Sequence, residues 1–379
     1  MSTRTDLPLA LLSAVGLLAA TTGTFLEVAP NRLLSGSALA LWHVPPAMGG
    51  WVVLALWCWG LACSLLATKR GLSIACALLV GLPLLAGAGA HRLLADAAVH
   101  TTRIQLGAGF WIMWLAAALL LLDRLRGARR VVQLAIWTGV VVAFVVAGWS
   151  GAFADLALVR EYAAQRDVFA TALRIHLLLT LGTLGLALAI GLPLGWIAWR
   201  RRRAGNGILG VLSLVQTVPS IALFALLIGP LAWLAQHMPS LQALGFGGTG
   251  AAPAVIALCL YALLPVVRYT LAGLDGVPRD AVEAARGMGM TRWQVLARVQ
   301  WPLAWPVLLA GLRIVSVQAI GMVAVAALIG AGGLGRFVFL GVGQGAIDMV
   351  LLGTLAIIAL ALLADLVFQA ALMLTERRG

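Results

Sequence analysis

About ten blocks of roughly 20 apolar residues recur along these 379 positions, near 8–27, 48–67, 72–90, 105–122, 131–149, 172–199, 208–234, 252–272, 304–329 and 349–374. A bilayer core of about 30 Å is crossed by roughly 20 helical residues. Inside it, every backbone donor and acceptor must be satisfied within the spanning element. The pattern therefore predicts an all-α polytopic membrane protein with about ten transmembrane helices. Composition agrees: 62% of residues are hydrophobic and 10% charged, where a soluble domain has about half and a quarter. The first block has only Arg4 before it and many spans after it, so it reads as a retained helix rather than a cleaved signal.

The net charge of +13 is a matter of topology. With Met1 placed inside, 17 of the 26 Lys and Arg fall in inner loops and 7 in outer ones; Arg268 and Arg313 remain within or at the edge of spans. That bias puts both termini on the cytoplasmic side of the membrane. It accounts for the basic excess with a lipid bilayer as partner and no nucleic acid. The Arg200–Arg203 run ends a span and reads as snorkelling, as Trp196 and Trp199 read as interface anchors. Cys58, Cys63, Cys76 and Cys259 fall in spans without ligand spacing, and the five histidines form no metal-binding pattern, so no metal is expected.

Texture changes at 151–170, where Asp155, Arg160, Glu161, Arg166 and Asp167 suggest a periplasmic linker. Residues 1–150 read as an accessory bundle of about five spans, and residues 171–379 as the working domain. In the latter, Gln216-Thr217-Val218-Pro219-Ser220 lies near the middle of a predicted span. A proline there removes a backbone donor. The polar neighbours either re-satisfy the freed groups or line a watery passage, which makes Gln216, Thr217, Pro219 and Ser220 the candidate translocation pathway. Arg313 and Asp365, in adjacent spans, are a candidate intramembrane ion pair, because single charges at that depth are costly. Gly330 to Gly335 satisfies GxGxxG but follows a span rather than a strand, so it reads as a tight turn or short re-entrant segment.

Residues 275–303 form a polar insert on the arginine-rich side. Pro278 suits a first helical turn. Ala281, Ala284, Ala285 and Met288 recur at helical spacing as a narrow face of mostly small side chains open to a protein partner. Gly289 stops that helix, Thr291 with Gln294 has the capping-box pattern, and Val295, Leu296 and Val299 make a second stripe before Pro302 turns into the next span.

Glu283-Ala284-Ala285, Gly289, Val299 and Pro302 resemble the EAA loop of ABC-importer permeases, EAA-x3-G-x9-I-x-L-P, with Val299 in place of Ile and Trp301 in place of Leu. From about 170 to 379 the chain is similar to permeases of osmoprotectant importers. That similarity rests on Gln216 to Ser220, Leu264-Pro265-Val266-Val267-Arg268, the Glu283 motif, Leu328 to Gly335 and Thr375-Glu376-Arg377-Arg378. A longer subgroup with added N-terminal spans matches best. The resemblance implies a type I importer: two permease copies or related permeases, ABC ATPase subunits docked on the insert, and a periplasmic or lipid-anchored binding protein. It also implies a small solute such as glycine betaine, choline or a related quaternary amine. ATP and Mg would be held by the ATPase, since this chain has no Gly-x4-Gly-Lys-[Ser/Thr] loop, and no cofactor and no catalytic residue are expected here. A permease for another solute such as an amino acid, or an ion-coupled secondary transporter, stays open as an alternative.

Overall fold

The computed structural model describes residues 6–31, 34, 36–66, 71–97, 101–238, 240 and 247–376. Arg4, Arg32, Lys69, Arg70, His100, Arg377 and Arg378 lie outside them. The chain divides into two compact units. Unit 1 is Met1–Ala164 with Gln344–Asp348, and unit 2 is Gln165–Gly343 with Met349–Gly379.

Unit 1 contains α1 (Leu7–Thr22), α2 (Ala47–Leu65), α3 (Gly71–Ala95), α4 (Ala108–Leu125), α5 (Arg130–Trp149) and α6 (Ala157–Ala164). Trp57, Phe25, Leu78, Leu82, Met113 and Leu121 are fully buried at its centre. The first apolar block was expected to run as helix to residue 27, but α1 ends at Thr22. The Thr21 and Thr22 hydroxyls donate back to the Leu17 and Leu18 carbonyls at 3.1 and 2.9 Å, and Gly23 leaves in extended conformation. The chain then forms β1 (Thr24–Ala29), which pairs antiparallel with β2 (Ser37–Ala40) and β3 (Arg103–Leu106) in the order β2-β1-β3. Glu27 lies opposite both Ala38 and Gln105. This small sheet is the one non-helical layer among the described residues.

The segment expected as a linker is folded. It forms α6, whose Arg160 donates to the Thr102 carbonyl at 3.1 Å and whose Glu161 is 1% exposed. Glu161 accepts from Arg103 Nη1 at 2.7 Å, and the same nitrogen stands 3.8 Å from Asp348. Gln105 Nε2 donates to Asp348 Oδ2 at 3.1 Å, so two buried carboxylates share one guanidinium and one amide.

Unit 2 contains α7 (Arg166–Arg200), α8 (Arg202–Thr217), α9 (Ser220–His237), α10 (Ala251–Asp275), α11 (Arg279–Gly287), α12 (Arg292–Val295), α13 (Trp301–Ala326), α14 (Gly335–Gln344) up to Gly343, and α15 (Ile347–Glu376) from Met349 onward. Its centre is α7 against α10. Gly191 and Gly195, four apart on α7, face Val266 and Thr270 of α10, where an added Cβ would meet side-chain atoms at 2.6 and 2.5 Å. This is the small-residue contact by which membrane helices approach closely.

Nine helices among the described residues are long and apolar enough to cross a membrane. The short α1 accounts for the difference from the expected ten, and the block at 208–234 still supplies one span, α9, though in altered form. Helix α1 has 16 residues, about 24 Å at the helical rise. The block at 208–234 is not one helix, because Val218 and Pro219 are extended and separate α8 from α9.

Candidate functional site

The polar insert is built from local rules. Helix α11 begins after Pro278, which is the residue before the first turn rather than within it. It closes at Gly289, with φ +81°. Gly289 N–H donates to the Arg286 carbonyl at 2.9 Å, and Met290 N–H to the Ala285 carbonyl at 3.2 Å. Those two bonds are the Schellman pattern, and the left-handed residue it needs is the physical reason for glycine here. Thr291 then starts α12. Its Oγ1 accepts from Gln294 N–H at 3.4 Å, and its own N–H donates to Gln294 Oε1 at 2.8 Å, closing a capping box.

The apolar face of α11 is divided. Ala285 is 1% exposed, and Val282 packs with Leu274, Val277 and Ala304, whereas Glu283, Ala284 and Met288 face outward. The surface open to a partner is therefore Glu283, Ala284 and Met288 with the exposed Arg279, Arg286, Arg292 and Arg298, not the whole alanine stripe. Trp196 also departs from a simple anchor. Its ring stacks on Trp293 with centroids 5.9 Å apart, and the Arg200 guanidinium lies 5.5 Å from the centroid of the Trp196 ring. Arg202 leaves the snorkelling run to clasp Asp275 with two bonds, at 2.9 and 2.7 Å, just before the insert.

Pro302 does not turn the chain. Helix α12, a wide π turn at Leu296–Gln300 and α13 form one continuous helix from Arg292 to Ile329. A proline has no N–H and its ring crowds the carbonyl four residues back. The wider turn before Pro302 accommodates both effects. Val299 lies half-buried in that turn.

At the break between α8 and α9, Gln216 Nε2 donates to the Tyr261 carbonyl at 2.8 Å, and Thr217 Oγ1 donates to the Leu214 carbonyl at 2.7 Å. The Tyr261 hydroxyl donates to the Val218 carbonyl. The Thr217 and Tyr261 hydroxyls thus satisfy carbonyls at the break, and Gln216 ties it to the backbone of α10. Gln216 also borders a cavity of about 370 Å³ together with Arg268, Tyr269 and Gln318, while Ser220 is the half-buried first residue of α9. Arg313 of α13 and Asp365 of α15 form a two-pronged pair at 2.5 and 2.7 Å, beside a second cavity of about 530 Å³ that also reaches Gln318.

His176 was not singled out in the sequence as a site residue. It is fully buried on α7; Nε2 donates to the Ile320 carbonyl at 3.1 Å, and Nδ1 accepts from Leu334 N–H at 3.3 Å. It thereby fastens the glycine turn, where Gly333 lies against its ring, to α7 and α13. A lone histidine in an apolar span gives no sequence signal for contacts so distant. Among the described residues no group of three His, Cys, Asp or Glu is arranged to hold a metal.

The described residues thus make a multi-pass helical membrane protein whose polar insert is the base of one of its spans. Residues 187–373 match the family described as binding-protein-dependent transport system inner membrane component, and residues 4–159 match the N-terminal domain of the ABC transporter permease YehY. Among similar proteins is the osmoprotectant import permease protein OsmW of Salmonella typhimurium, 44% identical over 190 residues, which are 50% of this chain and 83% of the relative. Another is the carnitine transport permease protein OpuCB of Listeria monocytogenes, 38% identical over 190 residues, 50% of this chain and 80% of the relative. A solved inward-facing MetNI methionine ABC transporter has a TM-score of 0.48 at 20% identity, over 56% of this chain and 98% of its own. The chain belongs to the family of binding-protein-dependent ABC-importer permeases, multi-pass components of the inner membrane.

Proposed function

We propose that this chain is the membrane-spanning subunit of an ATP-driven importer for a small osmoprotectant such as glycine betaine, choline or a related quaternary amine. The observation that carries the reading is the unbroken helix from Arg292 to Ile329, which joins the Glu283–Pro302 loop directly to the span holding Arg313. An ATPase subunit docks on Glu283, Ala284 and the surrounding arginines from the cytoplasm, where both termini also lie. Its closure is passed to α13 as a rigid-body movement. ATP and Mg belong to that partner, and this subunit carries no catalytic step. A periplasmic or lipid-anchored binding protein delivers the solute, and a second permease copy or a related permease completes the pathway past Gln216, Thr217, Pro219 and Ser220. The solute class follows the names of relatives such as OsmW and the carnitine permease OpuCB.

The test is uptake by the assembled transporter in vesicles. ATP-dependent accumulation of labelled glycine betaine, choline or carnitine is expected, and its absence for all three would overturn the solute class. Accumulation by this chain alone, without ATP, would favour the ion-coupled alternative.

A further inference from the structure

The Arg313–Asp365 pair is placed where a purely structural pair gains least. Arg313 is the thirteenth of 26 residues in α13, and Asp365 is the nineteenth of 30 in α15, so both stand near mid-helix. Their side chains are 35% and 32% exposed and face the 530 Å³ cavity instead of being sealed by packing. That volume lies within the roughly 300–1,000 Å³ of ordinary ligand sites. The neighbouring 370 Å³ cavity shares Ile314 and Gln318 with it and adds Gln216 and Arg268. Two cavities thus meet along a stripe of Gln216, Arg268, Gln318, Arg313 and Asp365.

Energetics point the same way. An ion pair with each side chain about one-third exposed adds about 1 kcal/mol or less to stability, so helix packing alone gives little reason for these two charges. Beyond Gly353 no described residue of α15 is fully buried, so the Asp365 side chain is not enclosed by packing along its own helix. Arg313, by contrast, rides on the continuous helix from the polar insert. A movement of that helix acts directly on the pair.

We propose that Arg313 and Asp365 form a transit site for a zwitterion that carries both a carboxylate and a quaternary ammonium. The solute exchanges with the internal pair. Its carboxylate takes the two-pronged position on Arg313 that Asp365 holds in this structure, and its ammonium faces the released Asp365. Neither protein charge is then without an opposite charge beside it at any stage of passage. A cation without a carboxylate would leave Arg313 unmatched, so the site selects betaines over a simple amine alcohol. The inference rests on the importer reading and names the solute class within it.

The experiment uses the complete transporter in vesicles with labelled glycine betaine. Arg313→Gln is expected to lower uptake about tenfold or more while the ATPase still co-purifies and hydrolyses ATP. The decisive variant is the swap of Arg313→Asp with Asp365→Arg. A transit site predicts that the melting temperature of the complex recovers but uptake does not, because the solute then meets reversed charges on displaced helices. Recovery of both would overturn the proposal in favour of a structural tether. A swap that fails to assemble is replaced by Asp365→Asn: uptake within about twofold of wild type overturns the proposal, and a fall of about tenfold with ATP hydrolysis retained supports it. The wild-type complex separates this from the broader reading. No ATP-dependent betaine uptake by it sinks the importer assignment for this solute, whereas normal wild-type uptake with a rescued swap sinks the transit site alone.

Discussion

Unit 1 and unit 2 each hold an arginine against carboxylate, and they treat it in opposite ways. In unit 1, Arg103 is enclosed with Gln105 against Glu161 and Asp348, whose side chains are 1% and 3% exposed. In unit 2, Arg313 meets Asp365 with each side chain about one-third exposed to a cavity. The enclosed group has extra hydrogen bonds that satisfy its charges, which is the condition under which buried ions are tolerated. The open pair has a single partner on each side and room beside it. A sealed cluster fixes geometry; an open one can be exchanged.

The contrast is most exposed to failure at Arg103. Arg103→Ala leaves two buried carboxylates without their guanidinium and is expected to cost about 3–5 kcal/mol, read as a fall in unfolding free energy of the purified chain. A cost below about 1 kcal/mol would mean that water already reaches the cluster, as expected for an exposed pair, and would end the distinction. Tyr261→Phe tests the sealed side within unit 2. Loss of the donor to the Val218 carbonyl is expected to cost about 1–3 kcal/mol, and an unchanged stability would show the helix break to be hydrated. Thr291→Ala, at the exposed capping box, should cost about 1 kcal/mol and weaken co-purification of the ATPase; full retention of both would remove the cap from the docking surface. Asp365→Asn should have the smallest effect on stability, about 1 kcal/mol or less, as for other partly exposed pairs. That difference should shrink on raising salt to about 1 M, while the cost of Arg103→Ala should not. Salt sensitivity in the opposite order would reverse the assignment of open and sealed.

What could be read beforehand follows the range of the interaction. The apolar blocks, the Gly289 stop and the Thr291–Gln294 cap depend on residues within a few positions of one another, and they lie in the structure with the bonds that those residues predict. The departures involve distant partners. Glu161 appeared to be a solvated linker residue because Arg103 is 58 positions away. Gln216 and Thr217 carried two readings because the Tyr261 hydroxyl and carbonyl that complete the break lie on another helix. The β-sheet was hidden because its strands have only four to six residues, two of them overlapping the ends of apolar blocks, where strand and helix patterns are hard to separate. Pro302 misled for another reason: a proline is a local stop only where the preceding turn cannot widen.

The continuous helix from Arg292 to Ile329 has a mechanical consequence. Arg313 lies 21 residues beyond Arg292, about 31 Å along the axis at the helical rise. A tilt of about 10° around the insert would carry the guanidinium about 5 Å sideways on that arm, farther than the 2.7 Å that now separates it from Asp365. On the proposed importer reading, the insert would be the short handle of a lever whose long arm ends at the ion pair, and a modest rotation there would be geared into a full disengagement near mid-helix.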